Sequence, residues 1–224
     1  MAVNPSIEPL FNKQPLKYVV VEGPIGVGKT VLAKRLANTL NSELLLEKAL
    51  ENPFLPRYYE DKKGAALPTQ LHFLFERIKL VEELRQADLF RPAQVSDFLM
   101  QKDCLFAEAT LDESEFELYS QVYNRLMPEA PIPDLVIYLQ APVELLHKRI
   151  RERKISFESR IDAEYLQKIS DAYIRFFYHY AESPTLIVNT TEVNLSDSDE
   201  DYQYLMNYIQ ELNPGKHYLN PQSL

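Results

Sequence analysis

The hydrophobic run Tyr18-Val19-Val20-Val21 leads, through Glu22, into Gly23-Pro24-Ile25-Gly26-Val27-Gly28-Lys29-Thr30, and Val31, Leu32, Leu36 and Leu40 then recur at helical spacing. This is GxxxxGKT between a strand and a helix. It restricts the chain to folds in which a buried strand ends, through a tight turn, at a helix N-terminus. The physical demand behind the pattern is convergence. A triphosphate needs several donors aimed at one point; a glycine turn points successive backbone N–H groups inward, and the helix start adds its partial positive charge. Gly23, Pro24, Ile25, Gly26, Val27 and Gly28 supply the cradle. Lys29 reaches the β- and γ-phosphates, and the Thr30 hydroxyl joins the coordination shell of a nucleotide-bound Mg²⁺.

Composition limits the partners. At 224 residues, with 46% hydrophobic and 11% aromatic residues, the chain has material for one large α/β domain over 1–224. A formal charge of −9 argues against broad attraction to nucleic acid or to anionic membranes, so any anion site must be local. Cys104 is the single cysteine, which rules out an intrachain disulfide and favours a reducing, cytoplasmic setting. Residues 1–16 hold scattered prolines and charges, so no signal peptide is predicted, and no segment approaches the ~20 apolar residues of a membrane span. The four histidines lie far apart with no cysteine pairs beside them, a poor pattern for zinc.

Short β-like runs alternate with long helical patterns, which predicts a parallel sheet with crossover helices. The strands read as Lys17–Val21, Leu44–Leu46, Ala93–Val95, Leu135–Leu139 and Leu186–Val188. Helices read as Lys29–Leu40, Thr69–Ala87, Phe98–Ala109, Glu113–Met127, Val143–Arg153, Ala163–Glu182 and Asp197–Leu212. The proline-bearing stretch from Glu51 to Pro56 reads as a loop. Asn213-Pro214-Gly215 breaks the last helix, and 1–16 and 213–224 read as flexible termini.

Several side chains fall where chemistry could use them. Glu47 ends the second strand at the carboxyl edge, where open parallel sheets collect ligands, and a carboxylate there can take a proton from an attacking hydroxyl. A solvated loop residue would look the same, and nearby Glu51 competes. Gln70 and Arg77 are seven apart on one stripe with Phe73, Leu80 and Leu84; they suit a planar base, though spacing alone favours a capping glutamine and a snorkelling or salt-bridged arginine. Arg149 and Arg153 repel at four-residue spacing unless an anion or a helix C-terminus accounts for them; a solvated basic face is the plain alternative. Asp97 follows the third strand and can hold Mg²⁺ directly or through water, with Asp103 six residues on. The aromatic run from Tyr173 to Tyr180 reads as helix-packing surface rather than a base platform.

Together these spacings resemble the deoxynucleoside kinase family, and most closely its bacterial deoxyadenosine/deoxyguanosine kinase branch, from about Lys17 to Val188. The resemblance implies a P-loop kinase fold: a five-stranded parallel sheet flanked by helices, with a short arginine-rich lid. It implies that Glu47 is the general base, that Tyr59 and Glu158 contact the sugar 3′-hydroxyl, and that Gln70, Arg77 and Asp103 serve the base. Arg149 and Arg153 match the lid's RxxxR. ATP and Mg²⁺ are the implied cofactors, and a helix-joined homodimer the implied assembly. One departure stands out: the family pattern has an acid followed by arginine and serine after the third strand, whereas Asp97 is followed by Phe98 and Leu99. Lys102 or a lid arginine is then left to replace that arginine.

The activity so implied is transfer of the ATP γ-phosphoryl group to the 5′-hydroxyl of a deoxyribonucleoside, a purine by preference. A nucleoside monophosphate kinase would share the P-loop and lid but needs further cations for its acceptor. A non-enzymatic nucleotide-binding module would keep Lys29 and Thr30 without needing Glu47.

Overall fold

A computed structural model describes residues 10–11, 14–85, 93–127 and 129–221. A short antiparallel pair, β1 (Leu10–Phe11) and β2 (Gln14–Pro15), precedes β3 (Tyr18–Glu22). Then come α1 (Lys29–Leu40), β4 (Glu43–Leu45), α2 (Leu55–Glu60), α3 (Lys62–Arg85), β5 (Gln94–Ser96), α4 (Lys102–Thr110) and α5 (Glu113–Leu126). The remainder is β6 (Leu135–Gln140), α6 (Val143–Glu152), α7 (Ala163–His179), β7 (Thr185–Asn189), α8 (Asp199–Glu211) and β8 (Lys216–Leu219).

The central sheet has six strands in the order β4-β5-β3-β6-β7-β8, every neighbouring pair parallel. Such strands are covered on both faces, and so read as unbroken apolar runs: Val19 to Val21 and Leu135 to Leu139 are all buried. From β3 the chain passes out to β4 and back to β5, then crosses to the far side of β3 at β6. That reversal opens a crevice at the carboxyl ends of the central strands. Helices α5, α7 and α8 begin on side-chain caps. Asp112 and Glu115 form a capping box for α5, Asp162 accepts the Tyr165 N–H, and Ser198 accepts the Asp201 N–H.

The sixth strand corrects the five-strand expectation. Lys216–Leu219 lies within the tail expected to be flexible, but it pairs with β7, and the Thr185 N–H donates to Gly215 O at 2.9 Å to start the ladder. Of its four residues only Leu219 is buried, so an edge strand like this leaves almost no apolar signal. Part of the other terminus, Leu10–Phe11 with Gln14–Pro15, is likewise a hairpin; residues 1–9, 12–13 and 222–224 lie outside the described residues.

Three further differences shape the site. The predicted loop after Glu51 is helical from Leu55, with Pro56 in the first turn, where a missing N–H costs nothing. The next helix starts at Lys62, not Thr69, and carries Pro68 inside it; its expected last residues, Gln86 and Ala87, fall outside the described residues. The helix expected from Phe98 is delayed to Lys102, leaving 97–101 as irregular backbone at the end of β5.

Candidate active site

The loop after β3 is pressed onto its neighbours. A Cβ on Gly23, at φ +149°, would lie 2.5 Å from Leu139 O, and one on Gly26, at φ +85°, 2.9 Å from Leu146 O. Both positions therefore admit only glycine without a backbone shift. Lys29 folds across the turn and donates to Gly23 O at 2.7 Å and Pro24 O at 3.2 Å. Burial, reinforced by the Lys102 charge, pulls its ammonium down to about 8, against the pull of Glu22, Asp97 and Glu47.

That depressed value has a measurable sign. A triphosphate beside Lys29 restores the charged form, so binding near pH 9 must draw a proton from solution, whereas well below pH 8 Lys29 is already charged. Calorimetry of ATP binding at pH about 9, in two buffers of different ionisation enthalpy, is expected to show uptake approaching one proton per site. Equal heats in the two buffers would overturn either the depressed Lys29 value or its contact with the phosphates.

Two strand ends and the start of α1 are joined by one carboxylate. Thr30 Oγ1 donates to Asp97 Oδ2 at 2.5 Å, and Asp97 Oδ1 accepts the Glu47 backbone N–H at 2.8 Å. Burial raises the Asp97 carboxyl, with the Thr30 hydroxyl opposing it. A hydroxyl and a carboxylate at the helix start are the hard oxygen ligands Mg²⁺ favours, and it usually takes few of them from protein and the rest from phosphate and water. Among the described residues no group of three or more His, Cys, Asp or Glu could hold a metal ion.

Glu47 is gripped on both oxygens. Arg77 pairs with Oε1, and Lys102 Nζ donates to Oε2 at 3.0 Å. Burial pushes this carboxyl up, but Arg77 and Lys102 outweigh it and hold it down at about 2. Arg77, 3% exposed, also pairs with the fully buried Asp103. Burial lifts Asp103 to about 6, with Arg77 opposing. Asp103 therefore meets the arginine it was expected to serve, behind the cavity wall rather than in it.

Gln70 is buried, and its Nε2 donates to Thr110 Oγ1 at 3.1 Å, while the Thr110 hydroxyl donates to Phe106 O at 2.7 Å. Tyr59 is buried and stacks on Phe157 with ring centroids 6.2 Å apart. The two basic-cluster arginines part company. Arg149 donates to Thr190 Oγ1 at 3.1 Å and Thr190 O at 3.0 Å, whereas Arg153 pairs with Glu158 at 3.2 Å. Separate partners relieve the repulsion that their spacing implied. Of the aromatic run, Tyr173 and Phe177 are buried, while Tyr178 is exposed.

Sequence reasoning passed over Glu22. It ends β3 wholly buried, and its carboxylate accepts the Gly23 N–H at 2.9 Å, the Leu99 N–H at 2.8 Å and the Tyr173 hydroxyl at 2.8 Å. An acid closing a run of core valines was the available signal. Thr110 offered none.

Two cavities meet here. One of about 800 Å³ runs over the glycine loop between Arg149 and the 190–197 segment. The other, about 490 Å³, is lined by Glu47, Tyr59, Gln70, Phe73, Arg77 and Glu158 among others. Gly26, Lys29, Thr30 and Arg153 border both. A parallel sheet with a phosphate cradle at its reversal, and a second chamber opening on the same lysine, defines a P-loop phosphotransferase.

A sequence model described as "Deoxynucleoside kinase" matches residues 19–213. The chain belongs to the deoxynucleoside kinase family and is a nucleoside-phosphorylating enzyme. It is 30% identical over 200 residues to the deoxyguanosine kinase of Bacillus subtilis, covering 87% of this chain and 97% of that protein. To the deoxyadenosine kinase of Lactobacillus acidophilus it is 29% identical, covering 78% and 86%. In structure it superposes on deoxyadenosine kinase from M. mycoides, solved with bound dCTP, with a TM-score of 0.74 at 22% identity, covering 87% of this chain and all of that one. This last likeness speaks for the fold. No helix among the described residues is long and apolar enough to cross a membrane.

Proposed function

We propose that the protein transfers the γ-phosphoryl group of ATP to the 5′-hydroxyl of a deoxyribonucleoside, with deoxyguanosine and deoxyadenosine first among acceptors. One observation carries this reading: two cavities, each with its own lining, share a border at Gly26, Lys29, Thr30 and Arg153, and Glu47 lines only the second. Donor phosphates in the first chamber would then end where an acceptor hydroxyl in the second begins.

Glu47 accepts the hydroxyl proton, and Lys29, Arg149 and Arg153 hold and neutralise the moving phosphoryl group, the last two from an arginine lid. Thr30 and Asp97 hold Mg²⁺, which supplies electrophilic neutralisation of charge on the phosphates. Gln70, backed by Arg77 and Asp103, reads the base; Tyr59 and Glu158 select the sugar. The purine preference draws on the names of the relatives. The unit is a single domain and a homodimer, for which Phe75 on α3 and Leu118 and Leu126 on α5 offer exposed apolar surface; a monomer mass in sedimentation would remove that part.

Charge speaks against a monophosphate acceptor. Among the described cations lining the second cavity, Arg77 and Lys102 pair with Glu47, Arg153 with Glu158 and Lys48 with Glu51, while Lys29 lies on loop carbonyls. Lys29 and Arg153 are given to the donor phosphoryl group and Arg77 and Lys102 are buried against Glu47, which leaves only the surface lysine Lys48 for a dianion on the acceptor. Labelled ATP offered with a panel of deoxynucleosides, ribonucleosides and their monophosphates should label purine deoxynucleosides at the 5′ position. Transfer to monophosphates instead would establish the rival kinase, and no transfer at all a binding module.

A further inference from the structure

Lys102 occupies a position that stability does not explain. It sits in the first turn of α4, where a cation opposes the helix dipole, and its side chain is 2% exposed. Burying an ammonium there is costly unless carboxylates compensate. Two do: Glu47 Oε2 at 3.0 Å and Glu22 Oε2 at 3.6 Å, with Asp97 a further acid nearby and Arg77 and Lys29 as opposing cations. A well-packed apolar side chain in a neutral pocket would serve stability as well or better.

The backbone before α4 is arranged around this placement. Because the helix starts late, Phe98 drops fully buried into an apolar cluster with Leu74, Val81 and Tyr119. The Leu99 N–H is freed for Glu22, and Lys102, four residues after Phe98, lies on the cavity wall. Arg77 on one oxygen and Lys102 on the other then fix the plane of the Glu47 carboxylate, which remains 14% exposed at the cavity. Either contact alone leaves it free to rotate.

We propose that Lys102 is the positioning residue of the phosphoryl-transfer site, acting through Glu47 by holding its Oε2 oxygen so that the carboxylate faces the acceptor hydroxyl. This rests on the kinase reading given above. It also assigns the cationic post left empty by Phe98, to α4 rather than to a lid arginine. Misplacing a reacting group by about 1 Å costs ~10²-fold in rate, so that is the size of effect expected.

The experiment is a kinetic double-mutant cycle on the full chain with ATP and whichever deoxynucleoside the wild type uses. Lys102→Met is expected to lower kcat by ~10²-fold with acceptor KM changed by less than about threefold. Glu47→Gln/Lys102→Met should be no slower than Glu47→Gln, because a residue acting only through Glu47 has nothing left to position. Lys102→Arg, which keeps the charge, should recover kcat to within about tenfold of wild type, and it carries the test if the Met variant fails to bind a fluorescent ATP analogue. Unchanged kcat in Lys102→Met, multiplicative loss in the double variant, or Lys102→Arg as slow as Glu47→Gln would each overturn the proposal. A wild type that phosphorylates no deoxynucleoside would sink the kinase reading itself and this role with it.

Discussion

Glu47→Gln is expected to lower kcat by about 10³-fold, inside the ~10²–10⁴ that a positioned proton acceptor contributes, with ATP and deoxynucleoside affinities within a few-fold of wild type. The substitution keeps the shape that Arg77 and Lys102 enclose and removes the charge they hold. A carboxyl held at about 2 is a weak base. In phosphoryl transfer that is tolerable, because bond formation to the hydroxyl lags behind loss of the leaving group and the proton departs late. What matters is that the carboxylate is ionised and aimed. Steady-state kinetics beside calorimetric binding separates the two effects. Turnover near wild type with unchanged binding would remove Glu47 from the chemistry.

Arg77→Met is expected to lower folding stability by ~3–5 kcal/mol, a fifth or more of the ~5–15 kcal/mol a domain of this kind has to lose. Arg77 is shared by two carboxylates, Glu47 and the fully buried Asp103, and its removal strands Asp103 and leaves Glu47 to Lys102 alone. Asp103 can respond by taking up a proton, since burial already lifts it to about 6, and this bounds the loss. Urea denaturation measures the change. The companion Arg77→Met/Asp103→Asn should regain part of it, because the amide needs no counter-charge. A loss under about 1 kcal/mol for the single change would show that the buried cluster is close to neutral in net stability.

The parts of the site carried by local pattern were legible before any coordinates. Gly23 to Thr30 needs a strand before it and a helix after it, and α1 runs over the residues its periodicity predicts. Glu47 was placed by a purely local argument, an acid at the end of an apolar run. Gln70 and Arg77 share a stripe because helix geometry makes them share it. Glu22 and Thr110 escaped because their meaning lies in what faces them across 40 to 151 residues of sequence, and Lys102, named only as a stand-in for a missing arginine, reveals its hold on Glu47 across 55. Strand β8 escaped for a different reason: backbone pairing at a sheet edge needs few apolar side chains, and the preceding Pro-Gly reads as an ending. The late start of α4 was hidden by helical periodicity that continues through Phe98 and Leu99, which tertiary demands override.

The carboxylate of Glu22 ties the first residue of the phosphate turn to the segment before α4 and, through Tyr173, to the middle of α7. Strand, turn, acceptor wall and rear helix are thereby locked as one block with no exposed joint. A working cycle that admits two substrates and releases two products must find its motion elsewhere. The contacts of Arg149 with Thr190 and of Arg153 with Glu158 are only partly buried, so a lid of the kind proposed above would have its hinge in the roof, turning over a floor that stays still.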